Sequence, residues 1–457
     1  MFLYNYLSGK EEKLTSSKGK TIRLYTCGPT VYDYVHIGNL RTFLFEDLLR
    51  RSLKFSGFKV KQVMNLTDVD DKIIKRASLE KKNIKEITSK YSKAFFDDIK
   101  ELNIQEVEIY PRATEHIKEM LSIIGKLLKK DLAYKGKDGS IYFDISKFKK
   151  YGRLSRLKKR EIKIGARVEA DEYAKTEAQD FVLWKSRKPG EPFWKSPYGD
   201  GRPGWHIECS AMSMKYLGES FEIHTGAVDL LFPHHENEIA QSEGATGKKF
   251  AKFWLEGEHI LVDGAKMSKS LKNFFTLRDL KNKGFDPLSF RYLILSTHYR
   301  KKLNFRWESL ASAERALNNL RKVFQDVREQ KGKSVADNKK LKETYRKKFA
   351  ASVSHDLNMP KALSVLWDSL RDKKLSHKVK RELALEFDEV LSLSLGGIKK
   401  IKPKRVSVPA KVKELVAKRE KFRVNKQFIH GDALRKKVEA LGYRLEDTKS
   451  GPKVSKS

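Results

Sequence analysis

The stretch from Thr21 to Lys81 constrains the fold most. Residues 21–27 carry Thr21, Ile22, Leu24 and Tyr25 and stop at Gly28-Pro29, so they read as a strand. Leu40, Phe43, Leu44, Leu48 and Phe55 recur near helical spacing, which predicts a helix over 39–55. Val60 to Leu66 reads as a second strand, and Asp70 to Lys81 begins another helix. Strand, helix, strand at this spacing suggests a parallel α/β unit, since parallel neighbours need a crossover that is usually a helix. A parallel sheet needs helices over its faces.

The pattern lapses between about 116 and 205. A short strand at 139–144 is followed by basic loops and turn-rich runs such as Lys188-Pro189-Gly190, the composition of an insertion. It resumes with a strand at 221–224 and a helix from Pro233 to about Gly244. From about residue 306 the chain turns helical, with candidate helices over 308–328, 339–355, 360–371 and 377–392, which suggest a bundle. Gly396-Gly397 and the basic run 399–405 read as a linker, and the tail after Gly451 is expected to be unstructured. The fold class is therefore α/β: a Rossmann-type parallel-sheet domain with an insertion, then an all-α helical bundle and a small C-terminal domain. The expected segments are 1–115 and 206–255 for the halves of the sheet domain, 116–205 for the insertion, 256–305 for a loop and contact region, 306–395 for the bundle and 396–457 for the terminal domain.

Charge narrows the partners. Ninety-six Lys and Arg against 59 Asp and Glu give a formal charge of +37, which favours a polyanion, most simply nucleic acid. The same excess could serve solubility alone. No apolar run reaches the roughly 18 residues of a membrane span, and the N-terminal apolar stretch is short for a signal peptide, so a cytoplasmic protein is expected. The chain has two cysteines, Cys27 and Cys209. In a reducing compartment such a distant pair suits metal or chemistry better than a disulfide, although two inert buried thiols have the same count.

Three motifs carry chemistry. His36-Ile37-Gly38-Asn39 stands at a helix start, where free N–H groups favour phosphate and Gly38 admits close approach; a histidine that merely caps the helix is the alternative. Lys266-Met267-Ser268-Lys269-Ser270 follows Asp263-Gly264, a basic turn suited to phosphate. His234 and Glu238 fall at i and i+4 on one helical face, and with Cys27 and Cys209 they make a zinc-type set of two thiolates, an imidazole and a carboxylate. The helix does not read His-Glu-x-x-His, so no zincin protease is indicated.

The first two motifs resemble the HIGH and KMSKS signatures of class I aminoacyl-tRNA synthetases. The segments 26–33, 204–210, 224–230 and 232–238 resemble the zinc-ligand and substrate segments of the cysteinyl-tRNA synthetase family. Residues 65–72, 298–305, 356–363, 432–435 and 445–448 extend that resemblance along nearly the whole chain. The chain departs from the family pattern at Asn39 for the last histidine of HIGH, at Ala227 and Lys272 for glycines, and in a tail without the usual tryptophan and arginine.

The resemblance implies ATP-dependent activation of L-cysteine and transfer to tRNA(Cys) by a likewise monomeric enzyme. His36, Asn39, Lys266 and Lys269 would be catalytic, with Gly38 joining His36, Asn39 and Lys269 around ATP and Mg2+. One Zn2+ would sit on Cys27, Cys209, His234 and Glu238. Gly28, Thr30, Thr67, Trp205, His206, His224 and Asp229 would form the cysteine pocket, and Arg419, Arg423 and Asp432 would contact tRNA. A closed four-ligand zinc can also be purely structural. A cysteine ligase of the mycothiol-synthesis type and a non-catalytic RNA-binding paralogue are the rival readings.

Overall fold

The computed structural model describes residues 1–16, 19–157, 162–168, 178–267, 271, 273–330, 335–397, 409–425, 427–448 and 451–456. They fall into two compact units, Met1–Ile398 and Lys399–Ser457.

The first unit is built on a four-stranded parallel sheet. Its strands are β1 (Thr21–Thr26), β2 (Lys59–Met64), β3 (Phe221–Ala227) and β4 (Ala251–Gly257), in the spatial order β4-β3-β1-β2. From β1 the chain crosses through helix α1 (Ile37–Phe55) to β2 on one side. It returns much later to β3 on the other side. The connection reverses direction beside β1, and such a switch point opens a crevice at the carboxyl ends of the strands. The expected strands and the α1 crossover are present, within two residues at most ends. Helices α2 (Trp205–Leu217) and α3 (His234–Thr246) flank β3 in sequence. Both are nearly buried all round, which explains why neither carries an amphipathic stripe.

The insertion is a sheet in its own right. Strands Ala133–Lys135, Ile141–Phe143, Ala178–Ser186 and Ile162–Val168 lie in that order, and Gly201–Pro203 pairs with Ala178–Ser186. Its core of Ile141, Phe143, Phe181 and Trp184 continues onto Ile207 and Met212 of α2 and Ala240 of α3. The insertion thus braces the two helices that carry Cys209, His234 and Glu238.

Four helices follow, α4 (Trp307–Arg328), α5 (Lys339–Ser354), α6 (Met359–Arg371) and α7 (His377–Leu391), as the periodicity predicts. Their core includes a stacked pair, Phe349 on Phe387 at 4.0 Å. It is continuous with the core under α1. A buried ion pair crosses that boundary: Arg291 Nη2 donates to Asp47 of α1 at 2.6 Å, and its Nε donates to the Leu391 carbonyl at the end of α7.

In the second unit, α8 (Ala410–Val424) and α9 (Phe428–Ala440) precede the antiparallel strands Tyr443–Thr448 and Gly451–Lys456. The expectation of an unstructured tail after Gly451 is corrected: residues 451–456 form the second strand of this hairpin, which covers a small core of Val412, Val438 and Leu445.

Candidate functional site

Cys27 leaves the carboxyl end of β1, and its N–H still pairs with the Thr225 carbonyl of β3. The next residue has no room for a side chain. A Cβ on Gly28 would fall 1.8 Å from the carbonyl oxygen of Asn65, and the Gly28 N–H donates to Asn65 Oδ1 at 2.9 Å. Asn65 in turn donates to Thr67 Oγ1 at 3.1 Å, and that hydroxyl donates to Glu208 at 3.0 Å. Thr30 and Thr67 form a parallel bridge. The turn after β1 is therefore held against the turn after β2 by buried hydrogen bonds.

Cys209 of α2 and His234 and Glu238 of α3 meet Cys27 at this point. One donor atom from each of the four lies within 4.8 Å of the others, and all four residues are buried. His234 Nε2 is 3.1 Å from Glu238 Oε1, while His224 Nε2 is 2.9 Å from Glu238 Oε2. Burial opposes ionisation of Cys209, yet the hydrogen bonds from Cys27 and His234 bring its thiol down to about 6. Burial and the neighbouring Cys209 push the Cys27 thiol well up. His234 rises to about 10: burial works against its charge, but Cys209 and Glu238 overcome it. Burial likewise raises Glu238, but His224 and His234 pull it below the usual carboxylate range. Sulfur, nitrogen and oxygen donors gathered in one buried place are a set on which a divalent cation can replace protons. Ligand atoms around zinc lie roughly 3.3–3.8 Å apart; here His234 Nε2 is 3.1 Å and Cys27 Sγ 3.9 Å from Glu238 Oε1. The residues fit the metal.

A second compact set, Cys27, His224, His235 and Glu238, shares two of these donors. His235 Nδ1 is engaged by Glu256 at 2.9 Å. A cleft of about 250 Å³ is lined by Cys27, Cys209 and His234 but by neither His224 nor His235. Three residues of the first set reach the cleft and only Cys27 of the second does.

The same cleft is lined by His36 and Asn39 at the start of α1. His36 is the N-cap of that helix: its Nδ1 accepts from the N–H groups of Gly38 at 3.1 Å and Asn39 at 3.2 Å. Accepting at Nδ1 places the ring proton on Nε2. Capping, one of the two readings on sequence grounds, is present and uses Nδ1. The segment after the KMSKS-like motif docks here too. Phe275 accepts from Ile37 N–H at 2.8 Å, Phe274 packs edge-on to His36 at 5.0 Å, and Met267 would meet any Cβ at Gly38 at 3.0 Å. Two motifs some 230 residues apart in sequence are adjacent. Lys266 is exposed on the strand Ala265–Lys266. Lys269 lies outside the described residues.

Of the expected cysteine-pocket residues, Gly28, Thr30, Trp205 and Asp229 line the cleft. Thr67, His206 and His224 do not. Each is buried behind the wall: Thr67 on Glu208, His206 against His234 Nδ1 at 3.0 Å, and His224 on Glu238 with its ring stacked on Trp254 at 4.3 Å. Asn65, Tyr32, Tyr34 and Lys72 line the cleft without having been singled out. Asn65 follows β2 as Cys27 follows β1, and that position at a strand's carboxyl end is the signal that marks it.

In the second unit Arg423 is half-buried and Asp432 is exposed. Arg419 is corrected as a surface contact: it is fully buried and grips Asp447 with both terminal nitrogens, at 2.8 and 2.9 Å, tying α8 to the hairpin.

Residues 13–315 match the family described as the catalytic domain of class I (C) tRNA synthetases. The cysteine–tRNA ligase of Chlamydia felis is 45% identical over all of this chain and 98% of its own length. That of Protochlamydia amoebophila is 46% identical over 99% of this chain and 97% of its own. In fold, the methionyl-tRNA synthetase of Mycobacterium tuberculosis, solved with methionyl-adenylate, superposes with a TM-score of 0.58 at 12% identity, covering 82% of this chain and 90% of that one. The parallel sheet with its switch-point cleft, the two adjoining motifs and these full-length likenesses place the chain in the cysteine–tRNA ligase family of class I tRNA synthetases.

Proposed function

We propose that this chain is a cytoplasmic, monomeric ligase that activates L-cysteine with ATP and transfers it to tRNA(Cys). The observation that carries the reading is a single cleft onto which Cys27, Cys209 and His234 open together with His36 and Asn39. A thiol selector and a phosphate site share one small volume, as a reaction joining a cysteine carboxylate to a nucleotide requires.

In the first step a carboxylate oxygen of cysteine bonds to the α-phosphorus of ATP and the bond to pyrophosphate breaks. The work left to the protein is positioning and charge stabilisation. His36 offers Nε2–H to a phosphate oxygen while Nδ1 stays committed to the cap. The N-terminus of α1 adds its partial positive charge, close to the backbone at Gly38. Asn39 contributes an amide donor, and Lys266 and Lys269 contribute cationic charge to the transition state. Mg2+ accompanies the nucleotide. Gly28 and Thr30 shape the floor, Trp205 the wall, and Asp229 offers a carboxylate to the substrate ammonium. Thr67, His206 and His224 are positioning residues, acting through Glu208, His234 and Glu238.

Cys27, Cys209, His234 and Glu238 would hold Zn2+. Bound there, zinc supplies a preference for thiolate over hydroxyl that a shape-based pocket lacks when the competitor is serine. The basic bundle and terminal unit would bind tRNA through phosphates, with the half-buried Arg423 among the cations and the exposed Asp432 accepting from a base edge. No helix among the described residues is long and apolar enough to cross a membrane.

ATP–pyrophosphate exchange tests the reading directly. Exchange with cysteine, none with serine, and loss after chelation of the metal are expected, followed by charging of tRNA(Cys). A folded, metal-loaded protein without exchange would overturn it, and exchange without tRNA charging would favour a ligase for another cysteine acceptor.

A further inference from the structure

The activation chemistry uses the start of α1 and leaves its second turn without a role. Arg41 stands there, five residues after His36 and about 7.5 Å further along the axis. It is only 4% exposed. A buried guanidinium is costly unless its donors are satisfied. Here the acceptors are all main-chain carbonyls. Nη1 donates to His259, and Nη2 donates to Lys301 and, at 3.5 Å, to Tyr299. Burial pulls the group down to about 10, against a partial rise from Glu258, so it stays charged at neutral pH.

Those carbonyls stand at the start of the strands from which the basic motif at 266–270 leaves. His259 precedes the strand Ile260–Val262, and Lys301 precedes the strand Leu303–Phe305. The two strands pair in parallel, and the Leu303 N–H donates to the His259 carbonyl at 3.1 Å. Ile260–Val262 also pairs with Ala265–Lys266, which enters the motif. Beyond the motif, the start of α1 holds Phe275 through the Ile37 N–H and Thr276 through a bridge to His36. One helix therefore fastens the chain on both sides of the motif, at Arg41 before it and at His36 and Ile37 after it. Phe45, one turn on, stacks on Tyr299 at 4.5 Å. Stacked rings can slide, and a small cavity lined by Arg41, Phe45, Leu48 and Tyr299 leaves the packing there incomplete. The register of helix and strands thus falls to the directional carbonyl bonds.

We propose that Arg41 is a positioning residue for the activation step: by holding the strands before the motif on α1, it sets Lys266 and Lys269 in register with His36, Gly38 and Asn39. The inference rests on the proposed function, which gives both motifs to the nucleotide. It leaves the thiol site aside, since neither Arg41 nor any of its three partners lines that cleft.

The test is Arg41→Lys in the full, metal-loaded chain. Lysine keeps the charge but offers one ammonium in place of the planar fork, so it does not reproduce the three bonds. In cysteine-dependent ATP–pyrophosphate exchange, kcat is expected to fall by about 100-fold, the cost of a misplacement of about 1 Å. The KM for cysteine and the zinc content are expected to stay at wild-type values, which also reports folding. A double-mutant cycle identifies the route: because Arg41 acts through the motif lysines, Arg41→Lys is expected to cost only about tenfold or less in a Lys269→Ala background. Arg41→Gln, which removes the buried charge and leaves at most two donors, is read in the same way if the lysine variant does not fold. An unchanged kcat, a KM for cysteine that rises as kcat falls, or the full loss repeated in the Lys269→Ala background would overturn the positioning role. So would failure of both variants to fold, which would assign Arg41 to stability. A Lys269→Ala enzyme as active as the wild type would instead overturn the part of the proposed function on which the inference rests.

Discussion

His36 shows how one side chain can serve stability and chemistry at once. Its Nδ1 closes the first turn of α1, and the proposed function sets its Nε2–H against a phosphate. Asparagine is a strong N-cap but is too short to reach where Nε2 reaches. His36→Asn is therefore expected to keep thermal stability within about 0.5 kcal/mol of wild type while exchange falls by about 100-fold or more. His36→Ala is expected to lose both, with a stability cost of about 1 kcal/mol. Equal exchange in the Asn variant and the wild type would leave His36 with a capping role alone. At the base of the same cleft, Cys209→Ser keeps the volume but removes a thiolate. Zinc content is expected to fall below one per chain, and the KM for cysteine to rise by more than about tenfold, since even the loss of an outer partner of a metal ligand costs that much. Full metal content with an unchanged KM would remove Cys209 from the donor set.

At the scale of elements, packing decides how α1 is held. The carboxylate of Asp47 accepts from Arg291 at 2.6 Å, from Arg51 at 2.8 Å and from the Gln105 N–H at 2.9 Å. Asp47→Ala strands a buried guanidinium and is expected to cost about 3–5 kcal/mol in a urea titration, more than most core truncations nearby. A second carboxylate has the opposite balance. Asp98, on the helix Ile84–Glu101, is pushed up to about 7 by burial; Arg278 and Lys281 pull it down, and Glu101 and Asp97 add to the rise. Its folded value exceeds the unfolded one, so the folded state binds more protons between about pH 4 and pH 7, and rising pH removes stability through that window. Asp98→Asn is expected to stabilise the protein by on the order of 1–3 kcal/mol at pH 8 and by almost nothing at pH 4, measured as thermal midpoints across pH. A gain that does not vary with pH would show that Asp98 is not protonated in this way.

These elements also show what the sequence could carry. The parallel strands and α4 to α7 were legible because their apolar periods differ and their lengths separate them. The insertion sheet was not, apart from residues 139–144, because three of its described strands have only three residues, too few to show a period, and the pairing of Ile141–Phe143 with Ala178–Ser186 joins residues some 40 apart. The four zinc-type residues were legible from spacing and family motifs. Those motifs fixed the positions of Thr67, His206 and His224 but not the side of the wall each faces, which depends on Glu208, Glu238 and Trp254. Arg419 reads as a surface cation on a basic helix until Asp447 is brought beside it by the hairpin.

For the whole molecule, the charge of +37 and the division at residue 398 bear on the two half-reactions differently. Every described residue lining the cleft belongs to the first unit. Cysteine and ATP are small, and their sites do not depend on a long-range field. A tRNA is a polyanion whose binding releases counterions in proportion to the phosphates neutralised. Raising salt from 50 to 200 mM is therefore expected to leave cysteine-dependent exchange nearly constant, while the KM for tRNA climbs by about 10-fold or more along a linear log–log slope. Deleting residues 399–457 is expected to keep exchange, because the removed unit has its own core at Val412, Val438 and Leu445 and contributes nothing described to the cleft. Charging should weaken and its salt slope flatten, because the proposed function gives α8 and α9 a share of the phosphate contacts. If the truncated chain charged tRNA with an unaltered slope, the polyanion would be held by the first unit alone, and the basic residues of the second would serve solubility.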